Sequence, residues 1–394
     1  MVGQGTLAAS GLLLQVVAAR ELGAAGLAAF SVGYGAIVLA TSVNSGLVGD
    51  SLTVLDRHQH GVRAALHVLA LGVAVVAGLV GGVAAALAGW GGVAAGLWVG
   101  LAALAFVLED VLRRLLMAAG RYWRLPAVDL GGAAVSLAVV VALAPGGVGL
   151  VDLFAALAVG QTTSVVVALV LLPRGERPGG PWRGGDLRPV VAFGAWRAAG
   201  QAVRPGTLTL VRVVVIGAAG AAAYGPVEAA RVLTAPTLVL VAGVGSFLLP
   251  WFAAARDRPQ QELLRRADRA AVAAAGATAL VVVGTVALLP WLGPLLSGGE
   301  YAVPLVAVLG WGLYAVTGAV LLPYAGLASV HRAQRAVLGW RVVELTALLG
   351  VAAVVLVHPG AAAAAPAVLA AGPLLAAVGV RWRVLVPRVR TARV

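Results

Sequence analysis

Three arginines pose the chemical problem of this chain. Arg197, Arg204 and Arg212 stand seven and eight residues apart within one apolar stretch. On a helix that spacing puts them within about an 80° sector of one face. At 1.5 Å per residue the ladder rises roughly 22 Å, most of the hydrocarbon thickness of a bilayer. Each arginine at that depth costs roughly 2.5–3.5 kcal/mol on insertion scales. Its planar fork suits phosphate, to which it donates two parallel hydrogen bonds. The ladder therefore reads as a cationic track for an anion, with Arg204 as the central rung. Arg197 is read equally well as snorkelling to the inner interface, and Arg212 as lying near the outer one. Pro205-Gly206 beside the middle rung removes a backbone donor and predicts a bend.

Other charges sit in apolar surroundings. Glu228 and Arg231 are three residues apart and can pair on one helical turn; they either neutralise each other or shape a cavity mouth. Arg341 and Glu344 repeat the spacing and read as a structural pair. Asp129 and Asp152 fall near span ends. A buried carboxylate there could couple proton movement; solvation at a helix end is the plainer reading. Asp50 reads as interfacial. Glu109 and Asp110 before Arg113 and Arg114 read as a solvated ion cluster. Arg20-Glu21 reads as a cavity residue or a local ion pair. Histidines 58, 60, 67, 331 and 358 are scattered, with no His-x-x-x-His pair. No catalytic constellation, metal site or cofactor fingerprint emerges, so neither enzymatic activity nor a cofactor is expected.

The elements that must carry these residues are membrane helices. The chain is 61% hydrophobic and 11% charged, against roughly 25% charged in soluble domains, and its mean hydropathy is +1.00. All 28 basic residues are arginine. Without lysine there is no P-loop and hence no ATP-driven motor in the chain. The net charge of +13 would suggest nucleic acid in a soluble protein. Held in short loops, it fits orientation and anionic lipid instead, and no nucleic-acid partner is expected. Cysteine is absent.

Apolar runs of about 20 residues fall near 3–19, 26–48, 64–88, 91–112, 126–143 and 150–172, and then near 190–216, 225–252, 269–291, 302–325, 337–357 and 361–380. The first lacks a preceding basic segment and reads as a span rather than a signal peptide. Arginines cluster in every second gap, near 57–63, 113–124, 174–188, 256–269 and 332–335, and in the tail from Arg381 to Arg393. The positive-inside rule then gives about twelve crossings with both termini inside. The expected fold is an all-α polytopic membrane protein of two six-helix bundles, residues 1–172 and 190–394, joined by a cytoplasmic linker at 173–189. Leu22-Gly23-Ala24-Ala25-Gly26 after the first span echoes Ile216-Gly217-Ala218-Ala219-Gly220 after the seventh. With six spans per half, the halves read as parallel repeats. Trp90 and Trp291 fall at outer ends; Trp123, Trp182, Trp251, Trp340 and Trp382 fall at inner ends, as interface anchors do.

Several stretches resemble one family. Ala19-Arg20-Glu21-Leu22-Gly23 with Gly26 and Phe30 is similar to the opening of Wzx-type polysaccharide flippases of the multidrug/oligosaccharidyl-lipid/polysaccharide (MOP, MATE-like) exporter superfamily. So are Ala119-Gly120-Arg121, Tyr224-Gly225-Pro226, the run Ala229 to Pro236, Leu249-Pro250 and Leu295 to Tyr301. The resemblance covers nearly the whole chain through individually weak motifs. It implies a plasma (inner) membrane, multi-pass transporter that flips polyprenyl-diphosphate-linked oligosaccharide to the outer leaflet by alternating access. It implies partners among membrane lipids, a polysaccharide polymerase and glycosyltransferases. It also implies cavity arginines on the diphosphate, carried here by Arg20, Arg204, Arg212 and Arg231, with Arg197 added from the ladder and Glu228 and Asp129 as coupling or pairing carboxylates. A drug/cation antiporter of the same fold would want carboxylates deep in its cavity. A non-transporting subunit of a glycan-assembly complex is the other alternative.

Overall fold

A computed structural model describes residues 2–177, 184–255, 258–331 and 333–391. Trp182, Arg256, Arg332 and Arg393 lie outside the described residues. The described chain is helical nearly throughout, with no strand among the described residues. In order come α1 (Val2–Glu21), α2 (Gly23–Asn44), a π-helical turn (Ser45–Gly49), α3 (Asp50–Val54), α4 (His60–Leu87), α5 (Gly92–Ala118), α6 (Leu125–Leu143) and α7 (Leu150–Leu171). Then follow α8 (Leu187–Ala219), α9 (Ala221–Leu233), α10 (Ala235–Ala254), α11 (Gln260–Ser297), α12 (Leu305–Val330), α13 (Gln334–Val343) and α14 (Thr346–Val357). The last are α15 (Ala365–Leu369), α16 (Ala371–Gly379), a second π-helical turn (Val380–Leu385) and α17 (Val386–Thr391). Ten helical segments among the described residues are long and apolar enough to span a bilayer; α1 and the α9–α10 pair lie at the positions of the first and eighth expected spans. Large apolar side chains such as Leu79, Leu97, Leu280 and Leu349 are more than 60% exposed. Water would not tolerate so much of that surface, and lipid does. The protein is a multi-pass membrane protein.

Several spans differ from the expected ones for local reasons. Expected at 269–291, α11 runs 38 residues, about 57 Å, and overshoots the hydrocarbon. Its polar start is a solvated extension, where Glu262 accepts from both Arg258 and Arg266 at 2.9 and 2.6 Å. The eighth span breaks at Thr234, two residues before Pro236, a residue that disfavours helix behind it. The eleventh breaks at Glu344-Leu345, so the expected Arg341–Glu344 turn is not one regular helix. Pro205 does not interrupt α8, a helix of 33 residues that contains it.

The chain divides into two compact units, residues 1–22 with 29–209, and residues 23–28 with 210–394. In the first, buried Val48, Leu66, Leu116, Val128 and Leu172 form a core. Helices α4 and α5 approach there through glycines. A Cβ at Gly82 would sit 2.7 Å from the Gly96 carbonyl oxygen, and one at Gly100 would sit 2.8 Å from that of Gly78. Small residues four apart on both helices permit backbone contact. The linker is stapled back onto the same unit: Arg57 grips Glu176 with two hydrogen bonds at 2.8 and 3.1 Å, and Arg63 donates to the Gly175 and Arg177 carbonyls. In the second unit, Phe252, Leu263, Leu327 and Val380 anchor the core. The turn between the first two helices of each half falls at a left-handed glycine, Gly23 (φ +64°) and Gly220 (φ +86°). The sequence echo that pairs Gly23 with Gly217 thus finds the correct turn, three residues out of register.

Candidate functional site

The second unit holds a buried ionic cluster at the α8–α9 hairpin. Glu228 is fully buried. Its carboxylate accepts from Arg212 Nη2 at 3.0 Å, Arg231 Nε at 2.7 Å and the Tyr224 hydroxyl at 2.9 Å. Tyr224 and Arg231 reach it from the same helix, at i−4 and i+3, where side chains share a face. Arg212 reaches it from the preceding helix. Arg212 and Glu228 each lie eight residues from Gly220, and in a helical hairpin residues equidistant from the turn stand at the same level. The indole of Trp311 on α12 donates to the Val227 carbonyl at 2.9 Å, fixing the turn that carries Glu228. Two guanidiniums face one carboxylate, so the cluster carries a formal surplus of one positive charge.

Arg212 is therefore not an open rung. It is 4% exposed and spends a donor on Glu228, while its Nε is buried without a hydrogen bond among the described residues. The Glu228–Arg231 pair expected from spacing is present, and Arg212 is the partner that spacing within one helix could not disclose.

The first unit holds a cluster of opposite sign. Arg113 on α5 lies between Glu109 on the same helix, at 3.4 Å, and Asp129 on α6, at 3.3 Å. All three are buried, so the solvated surroundings expected for Glu109, Arg113 and Asp129 give way to a sealed group. Arg113 and Asp129 are again equidistant from their hairpin turn, eight residues each side of Arg121. Two carboxylates face one guanidinium, a formal surplus of one negative charge. Asp129 also borders a cavity of about 20 Å³ lined by Tyr34, Ser136, Gln161 and Ser164, space for about one water.

The rest of the ladder separates. Arg197 is exposed and pairs with Asp50, beside the Phe193 ring at 5.5 Å. Asp50 also accepts from Gln201 at 2.9 Å and Arg114 at 3.2 Å. Arg114 in turn donates to Ser45 at 2.6 Å and pairs with Asp110 at 3.3 Å. This network ties α5 and the start of α8 to the π-helical turn. Backbones touch there, since a Cβ at Gly46 would fall 2.3 Å from the Ala198 amide nitrogen. Arg204 is half-buried and lies on α8 two turns before Arg212. Arg20 is exposed at the end of α1. Asp152 caps α7 by accepting from the Gly149 amide at 2.9 Å. Among the described residues no cluster of side chains could hold a metal ion.

No family model matches the chain and no curated relative is similar to it. Solved structures do match over nearly its full length. A multidrug resistance MATE family transporter of the MOP superfamily, in an inward-facing conformation, superposes with a TM-score of 0.72 at 16% identity, covering 98% of this chain and 96% of that one. The same kind of transporter in an outward-facing conformation gives 0.58 at 14% identity, over 100% and 93%. A MOP superfamily transporter from Pyrococcus furiosus, described as having a binding pocket of reversed polarity that suggests a different function, gives 0.58 at 14%, over 100% and 94%. The chain therefore has the all-helical fold of the MATE family transporters of the MOP superfamily.

Proposed function

We propose that the chain is a plasma-membrane transporter working by alternating access, with a polyprenyl-diphosphate-linked oligosaccharide as its cargo. The halves 1–172 and 190–394 would act as its two bundles. The observation that carries the reading is the positive surplus of the Arg212–Glu228–Arg231 cluster inside a membrane-embedded unit. A buried net charge is costly unless something of opposite sign answers it. A diphosphate reaching Arg231, whose side chain is the most accessible of the three at 12% exposed, would do so, and guanidinium is the side chain best matched to it. Arg204, on the same helix, adds a second cationic level. A drug/cation antiporter would need the opposite sign at this place, and a neighbour of the same fold is described as differing in function through pocket polarity. The Glu109–Arg113–Asp129 cluster supports a cation, a proton being the simplest, as the coupling charge in the other unit. Sugar polymerases and glycosyltransferases would be the partners of such a flippase.

The test is a reconstituted leaflet assay. Protein in liposomes is given a fluorescent polyprenyl-diphosphate glycan, and exposure in the opposite leaflet is followed by an impermeant quencher. Wild type should move it, and Arg204→Ala and Arg231→Ala should slow it at unchanged protein abundance. A wild type that never moves the labelled lipid would return the chain to the role of an assembly subunit.

A further inference from the structure

We infer that the arginine-rich corner of the first unit, where α5 and α7 end and α6 begins, binds the phosphate headgroup of an anionic phospholipid. Three short segments meet there: the α3–α4 turn, the 3-10 turn Tyr122–Arg124 and the 3-10 turn Arg174–Glu176. Arg57 bridges two of them, gripping Glu176 and donating to the Ala118 carbonyl at 3.3 Å at the end of α5. Arg124 donates to the Leu171 carbonyl, and Arg177 donates to the Leu172 and Val170 carbonyls at 3.2 Å. Two guanidiniums thus cap the negative end of α7. Across these segments and the residues flanking them, Arg57, Arg63, Arg121, Arg124, Arg174 and Arg177 stand against two carboxylates, Asp56 and Glu176. Glu176 is already taken by Arg57. The corner keeps a surplus of four positive charges.

Arg57, Arg63, Arg124 and Arg177 are spent on building this framework. Arg121 and Arg174 are exposed at its rim and take no part in it. Between them in the chain stand Tyr122 and Trp123, 62% and 70% exposed, with Arg124 packed over the Trp123 ring at 4.9 Å. An indole so open, beside guanidiniums and at the end of three spans, belongs at headgroup depth. The pattern of charge places this end of the unit on the cytoplasmic side. The ligand chemistry that meets all of these features at once is a phosphodiester on an acyl-chain anchor. The phosphate would lie against Arg121 and Arg174, and the glycerol and upper chains would lie against Trp123 and Tyr122. Basic pockets between spans on that side bind anionic headgroups in this way.

The experiment uses the full-length protein, delipidated in detergent and then titrated with phosphatidylglycerol or phosphatidylcholine, with retained lipid counted by native mass spectrometry. Phosphatidylglycerol should be retained and phosphatidylcholine should not. The double variant Arg121→Gln/Arg174→Gln should weaken retention about 30-fold, about fivefold for each arginine, and Trp123→Ala should weaken it further. Removing the same charge from the exposed start of α11, Arg265→Gln/Arg269→Gln, should leave retention unchanged. Equal loss in the α11 variant would mean diffuse surface charge and overturn the site. So would a double variant that retains lipid as wild type does. Competition by soluble glycerol phosphate at concentrations equal to the lipid would assign the corner to a free phosphate and overturn the lipid assignment.

Discussion

Replacing Glu228 with glutamine keeps the side-chain shape and removes the negative charge that pairs with Arg212 and Arg231. Its carboxylate is fully buried and takes three hydrogen bonds. Breaking a buried ion pair by deleting one partner typically costs about 3–5 kcal/mol, because the remaining charge has no counter-ion. In a unit of this size, 1 kcal/mol shifts the melting temperature by roughly 2–4 °C, so Glu228→Gln should lower it by about 6–20 °C. Tyr224→Phe removes one hydrogen bond to a charged group, worth about 1.5–3 kcal/mol, and should fall below that. The triple variant Arg212→Met/Glu228→Leu/Arg231→Met removes all three charges and should regain most of the lost stability, since apolar replacement of a buried ionic group is often neutral or better. The assay is thermal unfolding in one detergent, with the leaflet assay run on the same samples. The triple variant is expected to be stable and transport-dead. A triple variant that still moves the labelled lipid would show the cluster to be structural only. A Glu228→Gln protein as stable as wild type would refute the counter-charge argument itself.

Three other outcomes follow from the same reasoning. Asp129→Asn leaves Arg113 paired with Glu109 and cancels the formal surplus in the first unit, so transport should lose its dependence on an imposed pH gradient; unchanged dependence would move the coupling charge elsewhere. Gly82→Leu would force a side chain into the Gly96 carbonyl at the α4–α5 crossing, an overpacking worth about 1–3 kcal/mol or more, visible as reduced thermal stability, whereas Gly72→Leu, in open space on the same helix, should be silent. The Arg57 guanidinium holds the Glu176 carboxyl below its ordinary value of 4.5. That pair stabilises the stapled linker fully above the ordinary value and less as pH falls through the depressed one. Proteolysis of the linker should therefore rise on acidification below about pH 4.5, and Glu176→Gln should be nicked readily at neutral pH and flatten the profile.

The spans were legible because hydrocarbon demands continuous apolar length, which a run such as 64–88 supplies. Breaks inside them, at Thr234 and Glu344, were not, since a broken and an unbroken span have the same apolar length. Glu228 and Arg231 were legible because three residues is a helical neighbour distance. Arg113 with Asp129, and Arg212 with Glu228, were missed. Each pair is 16 residues apart, and spacing arguments within a single helix do not reach across a turn.

The missed pairs share a rule that a sequence does contain. Arg113 and Asp129 flank Arg121 at equal distance, and Arg212 and Glu228 flank Gly220 at equal distance. An antiparallel hairpin brings such residues to one depth, so opposite charges placed symmetrically about a turn between two apolar runs are poised to pair. In each case a third charge stands on one arm of the hairpin, Glu109 one turn before Arg113 and Arg231 one turn after Glu228. Its sign decides the surplus, negative in the first unit and positive in the second. Two hairpins that could each have been closed as neutral pairs instead hold a third charge, Glu109 at 3.4 Å from Arg113 and Arg231 at 2.7 Å from Glu228. The proposed cargo and coupling ion, of opposite sign, would give a use to both third charges, and that is the physical ground for proposing these two clusters, rather than the more exposed Arg20 or Arg197, as the working charges.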